Sequence, residues 1–279
     1  MKILVTGVNG QLGYDVVKEL KRREISCIGT DINDFDITDE EETLDFIQSY
    51  SPDAVIHCAA YTAVDKAEDE REKCFSVNVL GTENISKACK RISAKIIYIS
   101  TDYIFDGKGT EYFETDSPIC PINYYGETKY KGEEKVGEYL EKFFIVRISW
   151  VFGINGNNFV KTMLKLGKER DEINVVCDQI GSPTYTADLA PLLCDMVVTE
   201  KYGVYHATNE GLCSWAEFAE KIFEISGLSV KVNHISSSDY PSKAKRPSNS
   251  RLSKTSLESN GFSRLPYWED AVKRYISSL

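Results

Sequence analysis

A chain of 279 residues with 33 Lys+Arg against 43 Asp+Glu carries a formal charge of −10, and 42% of it is hydrophobic. That composition belongs to a globular protein long enough for one large domain or two modest ones, with a core that needs no metal or disulfide staple. The acidic balance disfavours nonspecific binding to nucleic acid or to a membrane surface, both of which present phosphate.

The opening residues, MKILVTGVNG, run into glycines after a short apolar stretch, too short for a signal peptide or a membrane span, which predicts a cytoplasmic protein. Short β-rich runs then alternate with helical patterns. Strands are predicted over Lys2–Thr6, Ser26–Thr30, Ala54–His57, Lys95–Ser100 and Phe144–Ile148, and helices over Leu12–Arg23, Glu40–Ser49, Arg71–Arg91 and Tyr125–Lys142. Near-continuous apolar strands separated by helices predict a parallel sheet covered on both faces. After residue 150 the turn-rich pieces GINGNN (153–158) and DQIGSPTY (178–185) break the pattern, with helices predicted over Ala187–Val198, Trp215–Ser226 and Trp268–Ser277. The expected division is a nucleotide-binding domain over 1–150 and a smaller substrate-binding lobe over 151–279, from which later segments are free to return to the first domain. Ser236–Asn249, rich in Pro and Ser, is expected to be a long loop. The eight cysteines form no CxxC pair, and His57, His206 and His234 have no metal-ligand spacing, so free thiols and no metal are expected.

Gly7, Gly10 and Gly13 form G-x-x-G-x-x-G between the first strand and the first helix. A dinucleotide's diphosphate needs bare backbone and a helix N-terminus at that junction, so the motif in this position predicts a doubly wound Rossmann-type α/β fold. Asp31, at the end of the second strand, is placed to accept from a ribose diol; its rival role is a turn former. No Arg or Lys follows it closely to neutralise a 2′-phosphate, which leans the residues towards NADH. Asp36 and Ile37 could flank the adenine, although Asp36 serves equally as a helix-start residue.

Tyr125 and Lys129 stand at i and i+4 on one face of a predicted helix. A free phenol titrates near 10 and works at neutral pH only if a neighbour favours its ionised form, and the ammonium one turn on is the expected neighbour. Ser100-Thr101-Asp102 ends the fourth strand, at the sheet edge where doubly wound folds bind ligands. A hydroxyl there and a phenol opposite make a carbonyl or carbinol redox centre.

These residues resemble the dTDP-4-dehydrorhamnose reductase family, within the extended short-chain dehydrogenase/reductase superfamily. The resemblance rests on TGVNGQLG (6–13), AAYTAVDKAE (59–68), STDYIFDG (100–107), YYGETKYKGE (124–133), RISWVFG (147–153), NNFVKTML (157–164), DQIGSPT (178–184) and RPSNSRL (246–252). It implies reduction of the 4-keto group of a dTDP-linked 4-keto-6-deoxy sugar by NADPH or NADH. Tyr125 would be the proton donor, Lys129 its electrostatic partner and Thr101 the hydroxyl that orients the sugar. Gly7, Gly10, Gln11, Leu12 and Gly13 would meet the pyrophosphate, and Asp31, Asp36, Ile37, Ala59, Ala60, Tyr61 and Thr62 the rest of the cofactor. Asp102 and Trp150 would contact the sugar nucleotide, and Asn158 and Arg246 its diphosphate. Trp150 as a core aromatic and Asn158 as a helix cap are the rival roles. His57-Cys58 departs from the small or amide residue usual before Ala59. The resemblance leaves the oligomeric state open, a homodimer included, and leaves two other functions standing: reduction of a different nucleotide-linked keto sugar, and a noncatalytic regulatory subunit on the same fold.

Overall fold

In the computed structural model, which describes residues 1–279, six parallel strands form the central sheet. The chain runs β1 (Lys2–Thr6), α1 (Gln11–Arg22), β2 (Ser26–Thr30), α2 (Glu40–Tyr50), β3 (Ala54–His57), α3 (Val64–Ala67), α4 (Arg71–Phe75), a π-helical segment (Ser76–Gly81), α5 (Thr82–Ile92), β4 (Lys95–Thr101), α6 (Tyr124–Tyr139) and β5 (Phe143–Ile148). The second half adds β6 (Val151–Phe152), α7 (Phe159–Glu169), β7 (Glu172–Val176), β8 (Ile180–Gly181), β9 (Thr184–Tyr185), α8 (Thr186–Val197), β10 (Gly203–His206), β11 (Cys213–Ser214), α9 (Trp215–Ser226), β12 (Lys231–Ile235), β13 (Asn249–Ser250), α10 (Thr255–Ser259) and α11 (Trp268–Ser277).

The sheet order is β10-β5-β4-β3-β1-β2. Because β1 lies between β2 and β3, the winding direction reverses there, and a crevice opens beyond the carboxyl ends of these strands. Side chains alternate across the sheet: Ile3 and Val5 face one core with Val16 and Leu20 of α1, while Leu4 faces the other with Val55, Ile96 and Ile145. A third core, built on Phe152, Val160, Phe218, Trp268 and Tyr275, belongs to the C-terminal lobe.

Three features differ from the predicted elements. The helix predicted over Arg71–Arg91 is interrupted by the π segment, whose wider turn no 3.6-residue periodicity reveals. The short strand β10 joins the central sheet beside β5, and α8 packs Leu189, Leu193 and Val197 against the α1 side of that sheet. Segments on both sides of residue 150 therefore build the central sheet and the layer packed on its α1 side. Strands β7 and β12 pair in parallel within the lobe and were not predicted. The Ser236–Asn249 stretch is irregular apart from one 3₁₀ turn at Ser237–Asp239 and the first residue of β13. No helix is long and apolar enough to cross a membrane.

Candidate active site

A cleft of about 900 Å³ opens at the winding reversal. The β1–α1 turn forms its floor. Gly7 has φ +72°, and a Cβ on Gly13 would stand 2.3 Å from the Gly7 carbonyl oxygen, so the turn closes only with bare backbone at both positions. No side chain caps α1 and its first turn holds no acid, which leaves the N-terminal N–H groups and helix dipole for an anion. These features fit the diphosphate of a dinucleotide. Gly13→Ala is expected to push the turn open and weaken NADPH binding by about tenfold or more, as overpacking against backbone does. Titration of NADPH fluorescence measures it, and an affinity equal to wild type would contradict the fit.

Along the cleft lie Asp31, Asp36, Ile37, Ala59, Ala60 and Thr62. Asp31 is held by two backbone donors, Asn9 N–H at 3.0 Å and Ile32 N–H at 2.9 Å. The Asp36 carboxylate accepts from both the N–H and the hydroxyl of Thr38, so it also stabilises the turn before α2.

The reactive end is built by β4 and α6. Asn123 caps α6 by accepting from Gly126 N–H at 2.8 Å, and the helix presents Tyr125 and Lys129 on its buried face. Tyr125 lines the cleft with its ring edge-on to Tyr103, 5.6 Å between centroids. At the end of β4 the Thr101 hydroxyl donates to Asp102 Oδ1 at 3.1 Å and accepts from Tyr103 N–H at 3.3 Å. Lys129 Nζ sits 4.1 Å from the centroid of the Tyr98 ring.

Burial controls the titration of these groups. It raises the Tyr125 phenol above its ordinary value, opposed by the nearby Thr101 hydroxyl, and lowers the Lys129 ammonium to about 7, opposed by the charge of Glu133. The expectation that Lys129 depresses the Tyr125 phenol is therefore corrected: removing the phenol from water raises it, and the Thr101 hydroxyl, not the ammonium, is the group that opposes the rise. The phenol keeps its proton at neutral pH. Burial also lifts the Asp102 carboxyl to about 6. His57 is fully enclosed, pushed down to about 3 by that burial, and bonded to the Thr6 and Thr82 hydroxyls, so it is a neutral wall residue.

Trp150 lines the same cleft with φ +49°, a conformation unusual for a bulky residue, and stacks on Trp215 at 3.8 Å. Trp215 in turn lines a second cavity of about 670 Å³, together with Phe159, Arg170, Gln179, Tyr240 and Arg246. The tryptophan pair is the wall the two cavities share.

Two predicted site residues, Tyr61 and Asn158, do not line the cleft, and a third, Arg246, lines the second cavity. Tyr61 does not line the cleft: its backbone N–H and C=O are both taken by the Asn78 amide, at 2.8 and 3.1 Å, and its hydroxyl reaches Glu70. Asn158 caps α7 by accepting from Lys161 N–H, and its amide nitrogen lies within 3.0 Å of Gln11 Oε1, the Gly153 carbonyl and the Tyr275 hydroxyl, which share its two hydrogens. These contacts join the lobe to the glycine turn and give Asn158 the helix-cap role. Arg246 belongs to the second cavity, paired with Asp65 at 2.7 Å. Sequence reasoning missed Asn78, whose amide also donates to the Thr128 hydroxyl at 3.0 Å and so locks the Tyr61 backbone, in the loop after β3, to α6. No sequence signal marks it, because the π segment that carries it is seen only in the structure.

A doubly wound parallel sheet, a glycine turn at its first crossover, and threonine, tyrosine and lysine gathered at the mouth of one cleft define an extended short-chain dehydrogenase/reductase. The whole chain, residues 1–279, matches the family described as RmlD substrate binding domain. It is 41% identical to a dTDP-4-dehydrorhamnose reductase of Aggregatibacter actinomycetemcomitans, over 98% of this chain and 97% of that one. A crystal structure of the Bacillus anthracis dTDP-4-dehydrorhamnose reductase in complex with NADP superposes with a TM-score of 0.97 at 44% identity, covering 100% of this chain and 99% of that one. The Clostridium acetobutylicum enzyme of the same name gives 0.97 at 42% identity, with the same coverage. The chain belongs to the dTDP-4-dehydrorhamnose reductase family.

Proposed function

We propose that this protein reduces the C4 ketone of dTDP-4-dehydro-L-rhamnose to the alcohol of dTDP-L-rhamnose, with NADPH or NADH as reductant. The observation that carries the reading is the convergence of Tyr125, Lys129 and Thr101 in the cleft that the glycine turn closes. A reduced nicotinamide, when bound, supplies the hydride.

The residues of the chain do the rest. Tyr125 Oη holds the proton that the C4 oxygen takes up as the carbon accepts the hydride pair. Its phenol remains protonated at neutral pH because burial opposes ionisation. Lys129, charged below about 7 in the ligand-free cleft, stabilises the phenolate left behind and can donate to a ribose hydroxyl. Thr101 and Asp102 orient the sugar ring against Tyr125. The second cavity, with its aromatic walls and Arg170 and Arg246 guanidiniums, is suited to the nucleotide and diphosphate. Asp31 is positioned for a ribose diol, while the Bacillus anthracis relative was solved in complex with NADP, so both dinucleotides stand as cofactors.

The test is mixing the protein with each reduced dinucleotide and the 4-keto sugar nucleotide and following the nicotinamide absorbance. A stoichiometric fall with formation of dTDP-L-rhamnose is expected; no fall with either dinucleotide would refute the reading.

A further inference from the structure

We propose that Ser250, on strand β13 of the C-terminal lobe, is a positioning residue for ketone reduction: its hydroxyl holds the Asp102 carboxylate and so decides where the Thr101 hydroxyl sends its hydrogen. This rests on the reductase reading given above.

Ser250, Asp102 and Thr101 are 1%, 3% and 6% exposed and form one chain of contacts. Ser250 Oγ donates to Asp102 Oδ2, and Thr101 Oγ1 donates to Asp102 Oδ1. A threonine hydroxyl has a single hydrogen and two lone pairs. While Asp102 is ionised and short of donors, that hydrogen belongs to the carboxylate, and Thr101 can only accept towards the cleft. For Thr101 to donate to a sugar oxygen, Asp102 must release the hydrogen. A second donor on the other carboxylate oxygen makes that release easier, and Ser250 is that donor.

The serine is rigidly placed. Strand β13 pairs with β8 through Asn249↔Ile180 and Ser250↔Gly181. The Asn249 amide donates to the Lys108 and Glu111 carbonyls, at 3.1 and 2.9 Å, which ties the strand to the loop that follows β4. The Ser250 bond thus joins the lobe to the end of the catalytic strand.

The titratable groups near Asp102 are the phenols of Tyr103 and, from α6, Tyr125; Arg246 and Asp65 act on Tyr103 from beyond it. Burial raises the Asp102 carboxyl to about 6; the Ser250 hydroxyl is the largest influence opposing that rise, followed by the Thr101 hydroxyl and the Asp102 and Tyr103 backbone N–H groups. Removing the serine hydroxyl takes away one opposing bond, so the carboxyl moves further up.

Ser250→Ala is expected to lower kcat for the keto sugar by about tenfold, the range of a hydrogen bond to a charged group, with the KM for NADPH unchanged. The inflection in the kcat–pH profile that Asp102→Asn abolishes should move up by about one unit. Ser250→Thr, which keeps the hydroxyl, should restore both. A carbon-13 titration of the Asp102 carboxyl in the ligand-free protein reads the same midpoint without turnover. An unmoved midpoint and profile in folded Ser250→Ala would overturn the proposal, as would equal losses in the Ala and Thr variants. A wild-type protein inert towards the keto sugar would instead sink the reductase reading, and the carboxyl midpoint would still decide whether Ser250 governs Asp102.

Discussion

Tyr125→Phe is expected to reduce kcat for the keto sugar nucleotide by about 10²–10⁴-fold, the contribution of one placed acid–base group, with NADPH affinity changed by no more than about threefold. The substitution removes one oxygen and leaves the ring in its edge-on contact with Tyr103. The phenol is suited to the acid role because burial keeps it protonated at neutral pH, and because Thr101 places a hydroxyl beside it. Thr101 cannot replace it: an aliphatic hydroxyl is too weak an acid, and its hydrogen is engaged by Asp102. Steady-state turnover, paired with a fluorescence titration of the cofactor, separates the two quantities. A kcat within tenfold of wild type would assign the proton to another donor, with the Lys129 ammonium, at about 7, the next candidate.

Glu133→Gln is expected to cost about 3–5 kcal/mol of folding stability, the loss typical of a buried ion pair deprived of one partner. Glu133 receives Arg147 bidentately, Nη2 at 2.7 Å and Nε at 3.0 Å, with both side chains at most 5% exposed. The guanidinium also donates to the Thr115 carbonyl at 2.8 Å. Taking the carboxylate away strands a cation between β5 and α6, where water cannot reach it. The same carboxylate helps keep Lys129 charged, so its removal should push that ammonium below about 7 and narrow the pH range in which the lysine assists Tyr125. Urea unfolding at neutral pH measures the first effect. The double variant Glu133→Leu/Arg147→Met, which removes both charges, should recover much of the loss. A single-variant loss below about 1 kcal/mol would show that water or another acceptor takes over the guanidinium.

The relation between this site and the sequence is uneven for definite reasons. The β1–α1 glycine turn, the end of β4 and the Tyr125/Lys129 face were legible because each depends on neighbours within a few residues: a turn that needs bare backbone, a strand that ends in hydroxyls, a helix that brings i and i+4 together. Arg147 in a buried strand was visible in RISWVFG but without a partner, since Glu133 lies 14 residues earlier on another element. Asn158 and Arg246 have the chemistry of phosphate ligands, and only their neighbours reveal that the first serves as a cap and crosslink and that the second lines the second cavity beside Asp65, 181 residues away.

Local propensity and hydrophobic patterning by themselves determined the alternating strands and helices of the first half, the glycine turn and the Tyr125/Lys129 helix face, because the forces that select them act over a few residues. Tertiary structure alone decided that β10 completes the sheet, that the π segment turns Asn78 onto the Tyr61 backbone beside the cleft, and that Ser250 closes on Asp102. Those outcomes depend on burying groups contributed by segments far apart in the chain, and the energy of such a contact exists only once both sides have been brought out of water together.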